Sequence, residues 1–228
     1  MQTRTMNTIV PAVQPYIIAL EGNIGAGKTT FLRHIRQYYK NIVVIDEPVD
    51  TWEAITDPCG KNILQYFYGD MSRWSYTFQN AALLTRIQNI EKAIAENPHA
   101  HVFLMERSYL TDRNVFAKML YEDGKISDIE MKLYKMWYDH FTSRYPIRTI
   151  LWLNTDVPTC MTRIRMRNRR GEEDISADYL ERLDKAHHAW LTDDSADHNV
   201  ITIPDGATVE EKCMRYIEPM YQSAMLSP

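Results

Sequence analysis

The sequence has 228 residues, of which 45% are hydrophobic and 25% are charged, and its formal net charge is −4. A chain of this length buries enough surface for a stable α/β domain without a structural metal or disulfide. The slight acidic excess argues against a general nucleic-acid binder, which usually needs a basic surface. No apolar run approaches the roughly 18 residues of a membrane span, so we expect neither nucleic acid nor a membrane as a partner.

The first 15 residues differ in composition from the rest of the chain. They contain Arg4, Pro11 and Pro15 but no acidic residue and no apolar core, so they do not match a secretory signal peptide. We predict a disordered N-terminal extension over 1–15, followed by a single domain over 16–228. The three cysteines form no CxxC pair, which indicates a reducing compartment. We therefore expect a cytoplasmic protein, with a short organelle-targeting segment as the alternative.

Short apolar runs alternate with longer segments whose apolar residues recur every three or four positions. The runs predict strands at 16–20, 42–46, 101–106, 149–153 and 199–203. The longer segments predict helices at 28–39, 72–96, 108–121, 127–143, 156–168, 178–192 and 208–222. This alternation is typical of an α/β fold with a five-stranded parallel sheet covered by helices on both faces. The longest irregular stretch, 47–60, follows the second strand, and a loop of that length is usually functional.

The segment between the first strand and the first helix matches the phosphate-loop pattern GxxxxGK[ST]. It consists of Gly22, Asn23, Ile24, Gly25, Ala26, Gly27, Lys28 and Thr29, and Thr30 follows it. The glycines let successive backbone N–H groups point at phosphate oxygens, beside the positive end of the following helix. We predict that Lys28 reaches the β- and γ-phosphates of a nucleotide such as ATP, and that the Thr29 hydroxyl ligates Mg²⁺.

Phosphoryl transfer also needs a group that orients and deprotonates the acceptor. Glu47, at the end of the second strand, is a candidate general base, and an ordinary strand-end acid is the alternative. Glu106 and Arg107 end the third strand. We predict that Glu106 holds Mg²⁺ and that Arg107 tethers the acceptor oxygen or pairs with Glu47. A plain buried ion pair between Glu106 and Arg107 is the alternative.

Five arginines stand between 163 and 170, followed by the sequence Gly-Glu-Glu-Asp. Guanidinium groups suit transferring phosphates, and the acidic tip is typical of a lid that closes over a nucleotide. A solvated basic face is the alternative.

Aromatic residues are candidates for a pocket that holds a flat ring, with amides beside them for hydrogen bonding. The candidates are Trp52, Tyr68, Trp74, Phe78 and Phe116, together with Gln79 and Asn80. By their spacing alone, these aromatic residues are more typical of a hydrophobic core than of a pocket. The residues taken individually therefore predict a kinase for a small acceptor and no more.

Five motifs taken in order resemble the deoxynucleoside kinase family. They are GNIGAGKTT, IDEPVDTW, FQNAALLTR, MERSYLTDR and RIRMRNRRGEE, and the resemblance runs from about residue 16 to 192. It implies a P-loop kinase fold with an arginine-rich lid. It also implies transfer of the γ-phosphate of ATP, or of another nucleoside triphosphate, to the 5′-hydroxyl of a deoxynucleoside with Mg²⁺. The helices at 72–96 and 127–143 resemble the family's dimer-forming helices, so we expect a homodimer, although apolar stripes are also compatible with core packing.

The resemblance implies a role for each matching residue. Glu47 matches the general base, Arg107 the arginine that positions the acceptor, and Glu106 the metal-associated carboxylate. The implied nucleoside contacts are Tyr68, Phe78, Gln79, Phe116 and Glu172. The implied contacts to the phosphate donor are Arg163, Arg167, Arg169 and, near the end of the chain, Asp205.

The resemblance also bears on the choice of base. Arg86 and Asp112 match a charged pair found in deoxycytidine and deoxyguanosine kinases, whereas thymidine-accepting members typically lack it. We therefore expect deoxycytidine or purine deoxynucleosides to be preferred over thymidine. Two alternatives stay open: a nucleoside monophosphate kinase, and a catalytically inactive kinase-like structural subunit.

Overall fold

The computed structural model describes residues 15–167, 175–193 and 198–226. The extension predicted over 1–15 therefore lies outside the described residues, except for Pro15. The strands are β1 (Tyr16–Glu21), β2 (Ile42–Ile45), β3 (Val102–Glu106), β4 (Ile147–Asn154) and β5 (Asn199–Pro204). The helices are α1 (Lys28–Tyr38), α2 (Val49–Ala54), α3 (Ile63–Gly69), α4 (Met71–Glu96), α5 (Tyr109–Thr111), α6 (Lys118–Glu122), α7 (Asp128–Thr142), α8 (Val157–Arg167), α9 (Ala177–Leu191), α10 (Val209–Tyr216) and α11 (Glu218–Leu226).

The five strands form one parallel sheet in the order β2-β3-β1-β4-β5. The prediction of an α/β fold with a five-stranded parallel sheet is confirmed. The connection that leaves β1 runs past β3 to the edge strand β2, whereas the connection that leaves β3 runs to β4 on the other side of β1. Because these connections diverge, a crevice opens at the carboxyl ends of β1 and β3, where ligands bind in sheets of this kind.

Side chains of the central strands are buried on both faces of the sheet. In β1, Ile17 and Ala19 belong to one hydrophobic cluster, and Ile18 and Leu20 belong to a second cluster. This alternation follows from the two-residue period of a strand, and it explains why the central strands are continuous apolar runs. The first cluster also contains residues of α4 and α7, and the second contains residues of α1, α9 and α10. The prediction of a single domain over 16–228 is compatible with this arrangement and stays a prediction.

The stretch predicted to be irregular, 47–60, contains a helix. Helix α2 begins directly after Pro48, and α3 follows at the end of the next turn. A capping box starts α3, because the Asn62 side chain accepts from the Gln65 backbone N–H at 2.8 Å and the Gln65 side chain accepts from the Asn62 N–H at 3.0 Å. Both helices are too short to show an apolar period, so the prediction of a loop was wrong for α2, and α3 was not predicted.

Two predicted helices are interrupted. The helix predicted at 108–121 contains a π-helical segment, Asp112–Ala117, between α5 and α6. The helix predicted at 208–222 divides at Ile217 into α10 and α11. Single π-helical turns widen the helix locally and occur frequently at functional sites.

Candidate active site

The phosphate loop joins β1 to α1 at the carboxyl edge of the sheet. Gly22 and Gly25 have positive φ values of 144° and 82°. A Cβ atom at Gly22 would lie 2.7 Å from the carbonyl oxygen of Leu153, and one at Gly25 would lie 2.5 Å from the carbonyl oxygen of Cys160. Both the backbone conformation and the neighbouring main chain of β4 and α8 therefore limit these two positions to glycine.

Lys28 is buried beneath this loop. Its Nζ donates to the carbonyl oxygens of Gly22 and Asn23 at 3.0 and 2.9 Å. Burial, reinforced by the charge of Arg107, lowers the pKa of Lys28 to about 8. The Asn23 amide donates to the carbonyl oxygen of Leu180 in α9 at 2.9 Å. The loop is thus held both by its own lysine and by α9.

A cleft of about 1000 Å³ opens between the loop and the helices that follow β2. Its lining includes four residues of the phosphate loop region, Ile24, Gly25, Lys28 and Thr29. Thr30, predicted to contact the nucleotide, is exposed in the first turn of α1 and is absent from this lining. The predicted nucleoside contacts in the described part of the chain all line the same cleft: Glu47, Trp52, Tyr68, Phe78, Gln79, Arg86, Arg107, Asp112 and Phe116.

Glu47 follows β2 and faces three cations. Its Oε1 accepts from Nη2 of Arg86 at 2.7 Å and lies 3.8 Å from Nε of Arg107. Burial alone raises the pKa of Glu47, but Arg107, Arg86 and Lys28 outweigh burial and hold the pKa at about 2. The carboxylate is therefore ionised at neutral pH, with one oxygen anchored to Arg86.

Arg86 lies at the floor of the cleft and is buried. Its Nε donates to Oδ2 of Asp112 at 2.8 Å, and its Nη1 donates to the carbonyl oxygens of Glu106 and Arg107 at 3.2 and 3.1 Å. Burial raises the pKa of Asp112, and the adjoining guanidinium opposes that rise. One guanidinium thus joins Glu47, Asp112 and the turn after β3.

The end of β3 meets the first turn of α1. The Thr29 hydroxyl donates to Oε1 of Glu106 at 2.9 Å. Arg107 has a φ of 56° and is the single non-glycine residue with positive φ in the part of the chain that the structure describes. Its Nη2 donates to the carbonyl oxygen of Gly22 at 3.3 Å, and its guanidinium lies over the ring of Phe116. Among the described residues Arg107 pairs with Glu47, and no ion pair joins it to Glu106.

Aromatic rings form a wall of the cleft on the side of α2, α3 and α4. The ring centroid of Phe78 lies 4.7 Å from that of Phe67 and 5.2 Å from that of Trp52. All three residues also belong to a hydrophobic cluster, so Trp52 and Phe78 line the cleft and are at the same time part of the core. Beside them, Oε1 of Gln79 is buried and has no hydrogen-bond partner among the described residues. Trp74 packs on Tyr66 and is absent from the lining.

Among the predicted donor contacts, Arg163 lies against the phosphate loop and contacts Asp205. Nη1 of Arg163 donates to the carbonyl oxygen of Ala26 at 3.2 Å, and its Nη2 contacts Asp205 at 3.4 Å. Lys212 also donates to Asp205, at 3.2 Å. Arg167 lines the cleft. The predicted contacts Arg169 and Glu172 lie outside the described residues.

Several residues of this region were not predicted from the sequence, among them Glu21, Phe67 and Tyr179. Glu21 is fully buried at the end of β1, directly before the phosphate loop. Phe67 and Tyr179 line the cleft from α3 and α9. The capping-box pair of Asn62 and Gln65 could have located α3 and therefore Phe67. For Glu21, a single acidic residue after an apolar run, no local sequence pattern indicates a role.

A glycine-rich phosphate loop that opens onto a cleft at the carboxyl ends of a parallel sheet defines a P-loop nucleotide-binding protein. Residues 18–218 match the family model described as deoxynucleoside kinase. The chain belongs to the deoxynucleoside kinase family, as its motifs predicted, and it is an ATP-dependent phosphotransferase.

Related proteins cover most of the chain. Deoxycytidine kinase 2 of Gallus gallus is 36% identical over 193 residues, which are 76% of this chain and 73% of that protein. Deoxycytidine kinase of Mus musculus is 35% identical over 196 residues, covering 76% and 74%. The mitochondrial deoxyguanosine kinase of Xenopus laevis is 33% identical over 193 residues, covering 77% and 72%. Within the described ranges, none of the helices combines the length and apolarity that a membrane crossing requires.

Proposed function

We propose that this kinase transfers the γ-phosphoryl group of ATP to the 5′-hydroxyl of a 2′-deoxynucleoside and prefers deoxycytidine or purine deoxynucleosides to thymidine. One observation carries the proposal. The guanidinium of Arg86, buried at the floor of the cleft, binds Asp112 at 2.8 Å and Glu47 at 2.7 Å. A nucleobase that reaches this pair brings its sugar toward Glu47 and the phosphate loop.

Glu47, Arg107 and Lys28 are the proposed catalytic residues. The ionised Glu47 takes the proton of the 5′-hydroxyl while that oxygen bonds to the γ-phosphorus and the bond to the β–γ bridging oxygen breaks. Oε1 of Glu47 is held by Arg86, and its Oε2 is the oxygen proposed to take the proton. Arg107 directs the acceptor oxygen, and Lys28 exchanges its bonds to loop carbonyls for phosphate oxygens. Release of ADP follows.

The nucleobase is proposed to lie between Phe116 and the wall formed by Trp52 and Phe78. Gln79 supports this placement because its Oε1 is buried and has no partner within the described ranges. A buried polar atom without a partner is costly unless a ligand satisfies it. Tyr68, on the rim, is proposed to contact the 3′-hydroxyl. Glu172, which lies outside the described residues, is proposed for the same hydroxyl.

The proposed choice of base follows from the chemistry of the Arg86–Asp112 pair. The carboxylate of Asp112 accepts hydrogen bonds, so it suits an exocyclic amino group that donates. Thymine presents a carbonyl oxygen where cytosine has its amino group, and two acceptors would then face each other in a buried site. Sites built around such polar groups reject analogues that leave the groups unpaired.

ATP and Mg²⁺ are the proposed donor and metal. The Thr29 hydroxyl and the Glu106 carboxylate lie within 2.9 Å of each other and are oxygen donors, which Mg²⁺ prefers. No group of three or more His, Cys, Asp or Glu residues that could hold a metal occurs in the described ranges. A protein contribution of one or two ligands is typical of Mg²⁺ that arrives with phosphates. When bound, the ion neutralises charge on the transferring phosphate.

The nucleotide is proposed to be surrounded by Arg163, Arg167, Arg169 and Asp205.

A panel of four deoxynucleosides with ATP, analysed by product identification, tests this function. We expect a 5′-monophosphate product and a higher kcat/KM for deoxycytidine or a purine than for thymidine. Glu47→Gln should fold and lose kcat by about 10²-fold or more, because the base is removed while the contact with Arg86 is kept. Thymidine as the best substrate would contradict the preference.

The same panel addresses the two alternatives. A nucleoside monophosphate kinase would phosphorylate dCMP or dTMP but not the free nucleosides. An inactive structural subunit would consume no ATP with any acceptor. Against the second alternative, Lys28, Glu47, Glu106 and Arg107 are all present and line one cleft.

A homodimer is also proposed, through a face formed by α7. Ile129, Leu133, Met136 and Trp137 recur at helical spacing and are 41–70% exposed. Helix α7 packs on α4, whose Leu84 is also exposed. A two-fold axis across this apolar face would cover the same side chains in both copies.

The protein is proposed to act in the cytoplasm, although the Xenopus relative is named as mitochondrial.

A further inference from the structure

Glu21 is a fully buried carboxylate that the phosphoryl-transfer step proposed for Glu47, Arg107 and Lys28 does not use. It is the last residue of β1 and directly precedes the phosphate loop. Its Oε1 accepts from the backbone N–H of Ser108 at 2.9 Å and from the Ser108 hydroxyl at 2.5 Å. Its Oε2 accepts from the hydroxyl of Thr111. All three donors belong to the segment that follows Arg107.

The backbone at Arg107 is held in an uncommon conformation. A φ of 56° is unfavourable for a residue with a side chain, so the surrounding structure must maintain it. Three consecutive residues of the first strand and the loop do so. Leu20 accepts from the Arg107 N–H at 3.0 Å, Glu21 holds Ser108, and Gly22 accepts from the Arg107 guanidinium at 3.3 Å.

The charge of Glu21 also lies near the cations of the site. Burial raises the pKa of Glu21, whereas the hydrogen bonds from Ser108 and Thr111 and the charges of Arg107 and Arg86 favour the ionised form. Arg86 binds the carbonyl oxygen of Arg107 at 3.1 Å. The turn is therefore held by hydrogen bonds to both a buried acid and a buried guanidinium.

We propose that Glu21 is a positioning residue for phosphoryl transfer. From the end of β1 it fixes the turn at Arg107, so that this arginine and the phosphate loop keep one relative position. Glu21 itself does not line the cleft. The inference rests on the function proposed for Arg107. Because the acceptor and the γ-phosphate must meet in a narrow geometry, a displacement of about 1 Å can cost about 10²-fold in rate.

Glu21→Gln tests the inference, because glutamine keeps the size of the side chain and can still accept from Ser108. We expect the single-turnover rate of phosphoryl transfer to fall by about tenfold, with KM for ATP and for the nucleoside changed by less than about twofold. The midpoint of thermal unfolding should stay close to that of the unmodified protein. Glu91→Gln is the matched control. Glu91 accepts a hydrogen bond of 3.0 Å from the Tyr145 hydroxyl, and it does not line the cleft. It should leave the rate unchanged.

A double-mutant cycle separates positioning from general structural damage. If Glu21 acts through Arg107, the variant Arg107→Ala should lose activity, and adding Glu21→Gln to it should cause no further loss. Additive losses, or an unchanged rate in Glu21→Gln, would overturn the inference about Glu21 but not the function proposed for Arg107. An unchanged rate in Arg107→Ala would overturn the function proposed for Arg107 and the inference with it.

A second variant covers the case in which Glu21→Gln does not fold. Thr111→Val keeps the shape of a buried side chain and removes one of the three donors to Glu21. We expect a smaller loss of single-turnover rate than for Glu21→Gln, with little change in the KM for ATP or for the nucleoside. In the Arg107→Ala background, Thr111→Val should cause no further loss of rate. A rate equal to that of the unmodified protein would count against the role of Glu21.

Discussion

At the scale of single residues, the site depends on guanidinium groups that serve several partners at once. Arg86 binds Glu47, Asp112 and two backbone carbonyl groups, and it is almost completely buried. Replacing it alone would leave Asp112 as a buried carboxylate without its cation, which is strongly destabilising. A test of base choice must therefore change both members of the pair.

We expect Arg86→Met combined with Asp112→Ala to raise the kcat/KM for thymidine relative to deoxycytidine by about tenfold or more. The buried acceptor that faces the thymine carbonyl is then absent, so thymidine no longer leaves it unpaired. The measurement is the four-nucleoside panel on the double variant. If a folded double variant keeps the same kcat/KM for thymidine relative to deoxycytidine, this pair does not determine the choice of base.

His187 in α9 gives a second prediction at the residue scale, about stability. Its Nδ1 donates to the carbonyl oxygen of Leu183 at 2.7 Å, and its buried Nε2 has no hydrogen-bond partner in the part of the chain that the structure describes. Burial lowers the pKa of His187 to about 3, with Arg107 adding to the effect. Since the unfolded chain then binds a proton that the folded protein does not, stability should fall as pH decreases below about 6.5, by at most about 1.4 kcal/mol per pH unit.

His187→Gln should remove this dependence, because glutamine can donate to the same carbonyl group and does not titrate. The measurement is the free energy of unfolding between pH 7 and pH 5. His99→Gln is the control, since His99 is exposed. An equal loss of stability on acidification in the unmodified protein and in His187→Gln would contradict the assignment.

At the scale of elements, the nucleoside side of the cleft is built by short helices. Helix α3 has seven residues and carries Phe67 and Tyr68, both of which line the cleft. Helices of this length are not stable by themselves, so the first turn depends on its cap and on packing. The π-helical segment plays a comparable part, because it carries both Asp112 and Phe116 to the same cleft.

Asn62→Ala should destabilise the protein by about 1 kcal/mol, because the cap of α3 is lost. We expect KM for the nucleoside to rise more than KM for ATP, since α3 borders the nucleoside side of the cleft. Thermal unfolding and steady-state kinetics measure the two effects. Thr208→Ala removes the capping box of α10 and is the matched control, expected to lower stability without a selective change in nucleoside KM.

At the scale of the whole molecule, the sheet order brings the carboxyl ends of β1, β2 and β3 together at one edge. The residues that follow these strands, Gly22, Glu47 and Arg107, therefore meet although up to 85 positions separate them in the chain. Helix α7, which packs on α4, carries the exposed apolar face proposed for the dimer.

Met136→Glu should convert the proposed dimer to a monomer, because a charge would be buried at the centre of an apolar interface. Sedimentation velocity at several protein concentrations measures the change. Met214→Glu is the matched control, because Met214 is comparably exposed on α10. A monomer for the unmodified protein at all concentrations would contradict the proposal.

The sequence by itself determined the fold class, the five strands, the phosphate loop and the family, because these depend on apolar periodicity and on local patterns such as GxxxxGK[ST]. It also identified Glu47, Arg86, Arg107 and Asp112 as residues of interest. Only the tertiary structure decided how they connect. Long-range contacts join Arg86 to both carboxylates and Glu21 to the turn at Arg107, and local sequence carries no record of such pairings. The short capped helices and the π-helical segment were not predicted, because packing around the cleft stabilises them rather than local helix propensity.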